Sequence, residues 1–348
     1  MPLSRLVASL FALAFALCAG TPATAAEVAM TPTKDDMKWL LPKTPPSPAD
    51  NQPSAARIEL GKQLFFDPRL SSERNLSCAS CHSPLFGWSD GLPTAKGFKS
   101  KVLGRASPTV INSGYTTIQM WDGRRATLED QAMGPMESMD EMAMNLESLF
   151  TWLNSNPSYK AAFAKAYPGE AIDKTTTSKA IASYERTLIS ADSPFDHWLR
   201  GDKKAMNASQ VRGFRLFTDP AKGNCAACHS APNFTDNGFH NIGLAAYGQP
   251  NPDVGRFAIK PIASLKGAFK TPTLRDIALT APYFHDGSAT TLTEVVEHYN
   301  KGGVTKTDLS TNIKPLNLSA DEVKDLVLFL HALTTPPKTV TLPQLPPN

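Results

Sequence analysis

The chain contains the run Cys78-Ala-Ser-Cys81-His82 and, later, Cys225-Ala-Ala-Cys228-His229. A Cys-x-x-Cys-His run is the attachment signature of c-type haem, because each thiol can add to one vinyl group of a porphyrin while the adjacent histidine lies beneath the iron. A thioredoxin-like redox pair would need a βαβ pattern, which surrounds neither run. A four-cysteine zinc site would need its pairs much closer together. The sequence therefore predicts two covalently bound haem c groups.

The segments that precede the two runs resemble each other. Leu64-Phe65-Phe66-Asp67-Pro68 precedes the first run, and Leu216-Phe217-Thr218-Asp219-Pro220 precedes the second. In each case a stretch with helical spacing of apolar residues, 55–66 and 211–217, ends at the Asp-Pro pair. The repetition indicates two related modules in tandem, and we place them at residues 55–203 and 204–335.

Helical periodicity continues through much of the chain. We predict further helices at 127–133, 145–165, 175–190 and 319–333, the last beginning with Ser319 and Glu322 in capping-box spacing. Long alternating stretches are scarce. The predicted fold is mostly α, with two tandem cytochrome c-like helical domains, each wrapped around one haem, and long loops. A Pro-rich lead, 27–54, is expected to be extended on the surface, and 336–348 reads as a Pro-rich tail.

The N-terminus and the composition indicate an exported globular protein. Arg5, an apolar run and small residues at 23–26 match a secretory signal peptide over residues 1–26, which predicts a periplasmic location. The 348-residue chain is 41% hydrophobic and 19% charged, with a net charge of +3. The sequence contains no basic cluster with interleaved aromatic residues, so nothing in it indicates nucleic-acid binding. No later segment is apolar enough to span a membrane.

The first haem iron has no histidine candidate for its second axial position in the downstream part of its module, because no histidine lies between Ser83 and Asp196. The remaining candidates are methionines, which more commonly serve as core packing: Met120, Met133, Met136, Met139, Met142 and Met144. An iron without a sixth ligand is open to small molecules such as peroxide. The first haem is therefore the candidate reaction site.

The second haem iron has a different set of candidates, because no methionine follows Met206. A methionine ligand would have to come from the other module. A tyrosine ligand would stabilise oxidised iron, whereas a methionine ligand raises the reduction potential. Composition does not choose among the local candidates, which are His240, His285, His298, His331, Tyr247, Tyr283 and Tyr299.

Over roughly residues 55–335 the chain resembles the bacterial dihaem cytochrome c peroxidase family, and it is similar to the MauG-like branch in particular. The resemblance rests on five stretches: Leu60 to Ser71, Ser107-Pro108-Thr109-Val110-Ile111-Asn112, Trp121-Asp122-Gly123-Arg124, Gly134-Pro135 and Leu279 to Gly287.

The resemblance implies roles for residues around the first haem. The family places a tryptophan between its haems, matched by Trp121, and a glutamine and a glutamate on the peroxide side, matched by Gln131 and Glu141. A carboxylate near the iron can move a proton between the peroxide oxygens. Pro135 falls in the peroxide pocket of the family and matches the MauG-like pattern at that position. Without the family, Trp121 would read as a core residue and Glu141 as a solvated helix charge.

The resemblance also implies ligands. Tyr299 falls where peroxidases of this family carry an axial methionine and MauG-like members a tyrosine. The loop 91–104 lacks the distal histidine of peroxidases that need reductive activation. Family members bind calcium through an asparagine and two carbonyls, the latter matched by Thr280 and Pro282. Ala106 occupies the position of that asparagine here, so one side-chain oxygen ligand for calcium is missing. Lys222-Gly223-Asn224 replaces the tryptophan of MauG before the second run.

Three functions are consistent with these observations. The first is a peroxidase that uses hydrogen peroxide at the open first haem and shares oxidising equivalents with a His229/Tyr299-ligated second haem to oxidise a partner protein. The second is a cytochrome c peroxidase that reduces peroxide with electrons from a small cytochrome or cupredoxin. The third is a non-catalytic dihaem electron carrier, which would need two six-coordinate irons.

Overall fold

The computed structural model describes residues 30–347, so the predicted signal peptide, 1–26, lies outside the described residues. The fold over this range is mostly helical, as predicted. Its α-helices are α1 (Ala55–Phe66), α2 (Cys78–Cys81), α3 (Leu128–Glu137), α4 (Leu146–Ser155), α5 (Pro157–Ala166), α6 (Lys174–Glu185), α7 (Pro194–Leu199), α8 (Ala208–Thr218), α9 (Leu292–Asn300) and α10 (Ala320–Ala332).

Short elements fill the intervals. The strands β1 (Phe239–His240) and β2 (Phe269–Lys270) pair antiparallel, with Phe239 opposite Lys270. The 3-10 helices are Lys34–Trp39, Ala49–Asn51, Pro68–Leu70, Pro84–Phe86, Phe98–Ser100, Ser113–Tyr115, Cys225–Ala227, Ala245–Gly248, Arg256–Ala258, Ala263–Leu265 and Ile277–Leu279. Within residues 30–347, no helix combines the length and the apolarity that crossing a bilayer requires.

Local signals account for most helix boundaries. Helix α1 ends at Phe66 as predicted, and Ser319 caps α10 by accepting a hydrogen bond from the Glu322 amide. The helix predicted over 145–165 is instead two helices. Pro157 has no amide hydrogen and disfavours a helical Asn156, so the chain breaks there and the Asn156 side chain caps α5. Helix α6 ends at Glu185, five residues before the predicted boundary.

Two helix crossings organise the two halves in the same way. Helix α1 packs on α6, and a Cβ on Gly61 would lie 1.8 Å from the Ala180 carbonyl oxygen. Helix α8 packs on α10, and a Cβ on Gly213 would lie 2.0 Å from the Asp325 carbonyl oxygen. Each glycine stands three residues before the repeated Leu-Phe pair. The backbones therefore approach closely at equivalent positions, which extends the similarity seen in the sequence.

The buried apolar side chains form two clusters. The N-terminal core contains Leu60, Leu64, Phe65, Met133, Leu149, Phe163 and Ile181 among others. The C-terminal core contains Phe195, Trp198, Phe214, Phe217, Phe234 and Phe329 among others. Edge-to-face contacts such as Phe195–Phe329 (5.4 Å) and Phe217–Phe329 (5.3 Å) hold the second core together. The exact module boundaries stay a prediction.

Most of the Pro-rich lead lies on the surface, as expected, but Asp36, Trp39 and Asn51 are buried, and two short 3-10 helices interrupt its extended course. Trp39 is 2% exposed in the C-terminal core, with its ring 4.6 Å from that of Phe234. Burying a large apolar side chain stabilises by about 1.5–3 kcal/mol, so Trp39 anchors the lead to the C-terminal core. Asn51, at the other end of the lead, is buried against Lys179 and Glu129 of the N-terminal half. The lead thus touches both cores.

The Pro-rich tail returns to the N-terminal half. The Arg69 guanidinium donates to the Pro346 carbonyl oxygen (2.8 Å), and the Asn156 amide donates to that of Pro347 (2.7 Å). Val340 packs against the N-terminal core. Both termini of the described chain therefore contribute to joining the halves.

Candidate functional site

The first Cys-x-x-Cys-His run forms a single helical turn. Ser77 and Ser80 make a reciprocal capping box, and the His82 amide closes the turn on the Cys78 carbonyl oxygen (2.9 Å). Both thiols are free, and burial raises the pKa of the Cys81 thiol to about 11. Burial also lowers the pKa of His82 to about 4. The imidazole is therefore neutral at pH 7, which is the form that binds metals.

The turn formed by the second Cys-x-x-Cys-His run closes with the same type of hydrogen bond. Asn224 adopts a left-handed conformation (φ 49°) before it, and the His229 amide donates to the Cys225 carbonyl oxygen (2.8 Å). Nδ1 of His229 lies 3.0 Å from the Phe234 carbonyl oxygen, to which it donates as the neutral tautomer. Burial lowers the pKa of His229 to about 4. Nε2 is left as the nitrogen available to an iron.

A cavity of about 270 Å³ opens beside the second run. Cys225, Cys228 and His229 line one part of it, and Tyr299 and Trp121 line others. Most of the remaining lining side chains are apolar. Free thiols, a neutral imidazole with a tethered Nδ1 and a largely apolar cavity fit a covalently attached haem.

Three of the seven candidates for the sixth ligand of the second haem make other hydrogen bonds in the structure, and a fourth lies outside the cavity. His240 pairs with Asp236 (2.8 Å), Nε2 of His298 donates to the Ile242 carbonyl oxygen (2.8 Å), and the Tyr247 hydroxyl donates to Asp308 (2.8 Å). His331 is exposed on α10 and does not line the cavity.

The other three candidates, His285, Tyr283 and Tyr299, all line the cavity. The His285 ring stacks on Phe269, with centroids 3.5 Å apart. Neither tyrosine hydroxyl makes a hydrogen bond within residues 30–347. Tyr299 differs from Tyr283 in its neighbours: burial, together with the nearby Cys228 and Cys225, raises the pKa of the Tyr299 hydroxyl far above its usual range. The geometry therefore favours Tyr299.

The structure brings Tyr299 to this position on α9, a helix that sequence periodicity did not reveal. Thr291 and Glu294 form a capping box at its start, the same signal that located α10. The spacing of Thr291 and Glu294 is therefore the sequence signal that could have predicted α9.

The methionines proposed as alternatives for the first haem have different surroundings. Met133, Met136 and Met142 are at most 5% exposed within the N-terminal core, whereas Met139 is 72% exposed. Met144 packs against the core, and Met120 lines the cavity. Most of them serve as packing, in agreement with the commoner role expected from the sequence.

Gln131, Pro135 and Glu141 lie on α3 and on the turn that follows it. The Met142 amide donates to the Pro135 carbonyl oxygen (3.0 Å), which folds the turn back on the helix. Burial raises the pKa of the Glu141 carboxyl, and this carboxylate in turn contributes to the raised pKa of the Cys81 thiol. Glu141 is therefore near the first Cys run. The Gln131 amide makes no side-chain hydrogen bond with any residue in 30–347.

Trp121 bridges the two halves. Its indole N–H donates to the Ala106 carbonyl oxygen (2.9 Å), and its own carbonyl accepts from the Lys270 amide (2.8 Å). The ring contacts His285 edge-on, with centroids 6.3 Å apart. Asp122, the next residue, pairs with Arg105 (2.7 Å) and fixes the loop. Trp121 thus lies against residues of both modules, and its place between two haems stays a prediction.

The expected calcium ligands are only partly assembled. Thr280 and Pro282 line the cavity together with Ala106, and neither carbonyl accepts a backbone hydrogen bond over residues 30–347. Calcium takes six to eight oxygen ligands, and no carboxylate lines this cavity. Calcium binding stays a prediction.

Comparison with known proteins bears on the identity of the chain. A sequence profile described as "Di-haem cytochrome c peroxidase" matches residues 55–204. "Methylamine utilization protein MauG" of Methylorubrum extorquens is 42% identical over 97% of this chain and 98% of its own. The chain belongs to the di-haem cytochrome c peroxidase family. It is therefore an oxidoreductase that acts on peroxide, and the family carries two haems.

Other members of the di-haem cytochrome c peroxidase family share a similar level of identity. "Cytochrome c551 peroxidase" of Nitrosomonas europaea is 38% identical over 85% of each chain. A crystal structure of a "MauG-like protein associated with microbial copper homeostasis" superposes with a TM-score of 0.79 at 32% identity, covering 85% of this chain and 95% of that one. The family fold and the MauG likeness are thus both shown.

Proposed function

We propose that the chain uses hydrogen peroxide at an open first haem, shares oxidising equivalents with a His229/Tyr299-ligated second haem, and oxidises a partner protein. The observation that carries this proposal is the position of Tyr299, whose hydroxyl has no hydrogen-bond partner in residues 30–347 and lies in one cavity with Cys225, Cys228 and His229. A phenolate oxygen favours oxidised iron, which suits storage of oxidising equivalents rather than rapid electron uptake.

Cys78, Cys81 and His82 would hold the first haem c, and Cys225, Cys228, His229 and Tyr299 the second. The haems would supply an iron at which peroxide is reduced and a second centre that exchanges single electrons. Mass spectrometry of the denatured protein tests the covalent attachment: two haem masses are expected on the wild-type chain and one on Cys78→Ala/Cys81→Ala.

Glu141 would move the proton. Because burial raises the pKa of its carboxyl, the group is held closer to the pH at which it can both accept and return a proton. Gln131, one helical turn before Pro135, would orient peroxide through its uncommitted amide. Reduction of one peroxide to two waters takes two electrons and two protons, which an aromatic side chain of the partner would give up as it is oxidised.

Trp121 would connect the two centres. Its hydrogen bonds to Ala106 on one side and Lys270 on the other place an aromatic ring against both modules. A ring at that position divides a long electron-transfer distance into shorter steps.

The ligand assignment is tested by electron paramagnetic resonance of the ferric protein. Tyr299→Phe should change the electron paramagnetic resonance signal of one iron, because the substitution removes only the oxygen that is proposed to bind it. Met120→Leu is the matched control, since Met120 also lines the cavity, and its spectrum should equal that of the wild type. A Tyr299→Phe spectrum identical to wild type, or a changed Met120→Leu spectrum, would reject the assignment.

The acid–base assignment is tested by Glu141→Gln. General acid–base catalysis contributes about 10²–10⁴-fold, so peroxide consumption should slow by that factor with two haems retained. Glu137→Gln, at an exposed position on α3 that pairs with Lys174 (2.7 Å), should react at the wild-type rate. Equal rates for the two variants would contradict a role for Glu141.

A cytochrome c peroxidase function is the second candidate, because named cytochrome c551 peroxidases are 38% identical to this chain. The two functions differ in the electron donor. We expect only slow oxidation of a reduced small cytochrome c by peroxide, because a tyrosine-ligated centre accepts electrons from such donors poorly. Fast steady-state oxidation would favour the second candidate. For either function we propose a periplasmic location, on the basis of the signal peptide.

A further inference from the structure

One half-buried cation that faces the cavity has no role in the mechanism above. Lys270 lies on β2 and lines the cavity that holds Tyr299 and His229. Its ammonium makes one hydrogen bond, to the carbonyl oxygen of the next residue, Thr271 (3.2 Å). An ammonium has three donors, so two are left for another partner. Across residues 30–347, no carboxylate lies within ion-pair distance of this amine.

Burying an unpaired ammonium costs several kcal/mol, so a buried lysine normally has an anionic partner. Burial lowers the pKa of Lys270 to about 8, which leaves it mostly charged at pH 7. Asp236 is the acidic group that acts on this pKa, but its carboxylate is already paired with His240 (2.8 Å). Lys270 therefore has no ion-pair partner of its own among the described residues.

The other cationic side chains on the cavity wall are either ion-paired or exposed to water. Arg275 is paired with Asp196 (2.9 Å), and His240 with Asp236. Lys314 is exposed, so water can solvate it. Lys270 is thus the half-buried cavity cation in the described chain that has no ion-pair partner, and an occupant of the cavity could neutralise its charge. That occupant must carry an anionic group.

We propose that Lys270 binds a propionate carboxylate of the haem attached at Cys225 and Cys228, and that the buried ammonium raises the reduction potential of that haem. The inference rests on the proposed function, because it takes this cavity as the second haem site. A haem carries two propionates, and each ionised one stabilises oxidised iron. A cation paired with one of them offsets this effect.

The position of Lys270 also links the charge to Trp121. The Lys270 amide donates to the Trp121 carbonyl oxygen (2.8 Å), so the residue that positions the bridging ring also carries the charge beside the second haem. Substituting the side chain leaves this backbone bond in place. The potential can therefore be changed without removing the contact that holds the tryptophan loop.

The test compares three variants by spectroelectrochemical titration of both haems. In Lys270→Met, the equilibrium constant for reduction of the second haem should fall at least tenfold, which is 59 mV for one electron, while the first haem stays unchanged. Lys270→Arg should keep the constant within threefold of wild type. Lys260→Met, which removes an exposed lysine away from the cavity, should change neither haem.

Haem content, measured by mass spectrometry, separates the possible failures. If Lys270→Met acquires only one haem while Lys270→Arg and Lys260→Met acquire two, the charge is needed for binding and the proposal is supported. A Lys270→Met protein with two haems and unchanged potentials would overturn it, as would equal shifts of both haems or loss of the second haem from Lys270→Arg. Failure of the proposed function would instead show in the Tyr299→Phe and Glu141→Gln measurements, which do not depend on Lys270.

Discussion

Replacing Arg275 by methionine should destabilise the C-terminal half severely. Arg275 and Asp196 are both completely buried, and the guanidinium reaches the two carboxylate oxygens at 2.9 and 3.0 Å. The same guanidinium donates to the Trp39 carbonyl oxygen (2.9 Å) and lies over the Phe234 ring (5.5 Å). One side chain thus joins α7, the Pro-rich lead and the C-terminal core.

The size of the effect follows from what the substitution leaves behind. Methionine can occupy much of the space, but Asp196 keeps a charge at zero exposure. Removing one partner of a buried ion pair costs about 3–5 kcal/mol. Asp196 retains hydrogen bonds from the Ser193 amide (3.0 Å) and hydroxyl (2.7 Å), which places the expectation near the lower end, at about 3 kcal/mol. That is a large part of the 5–15 kcal/mol that typically stabilises a folded protein.

The assay is denaturant unfolding of the dihaem protein, with hydrogen exchange to locate the change. Arg275→Met should lose about 3 kcal/mol, with protection reduced in α8 and α10 more than in α1 and α6. Lys99→Met, at a position with a 72% exposed side chain, should remain within about 0.5 kcal/mol of wild type. Adding Asp196→Asn to Arg275→Met should recover part of the loss, because the orphaned charge is gone. A loss below about 1 kcal/mol, or no recovery in the double variant, would refute the reasoning.

Two further predictions concern the N-terminal half. A Cβ on Gly97 would lie 2.0 Å from the Asp140 carbonyl oxygen and 2.8 Å from the Glu141 Cα. Gly97→Ala should therefore displace Glu141, the proposed acid–base group, and slow peroxide consumption at least tenfold in a stopped-flow assay. Gly104→Ala, with open space at its Cβ, should react at the wild-type rate in the same assay. Burial raises the pKa of Glu185 to about 8 from its usual 4.5; the folded protein therefore holds a proton that the unfolded chain loses, and stability should decline by a few kcal/mol as pH rises from about 4.5 to 8. Glu185→Gln should flatten this decline in unfolding measured across that pH range, and an unchanged slope would contradict the assignment.

Several features were predictable because their signals are local. A Cys-x-x-Cys-His run specifies its haem within five residues, whatever the rest of the chain does. The end of α1 at Asp67-Pro68 and the start of α10 at Ser319 follow from hydrogen bonds and steric restrictions a few residues apart. Two errors also concern local signals. Pro157 after Asn156 divides a helix that was predicted to be continuous, and the Thr291 cap begins α9, which was not predicted.

Other features depended on which distant segments pack together. The sequence excluded a methionine after residue 206 but left seven ligand candidates. Only packing showed that three of them have other partners, that His331 lies outside the cavity and that Tyr299 shares the cavity with His229. Trp39 looked like part of an exposed proline-rich lead until the aromatic cluster around Phe234 buried it. Nothing near Lys270 in the chain indicates that its charge is buried without a counterion. Such properties arise from contacts between residues up to two hundred positions apart, whose formation depends on the burial gained by the whole fold.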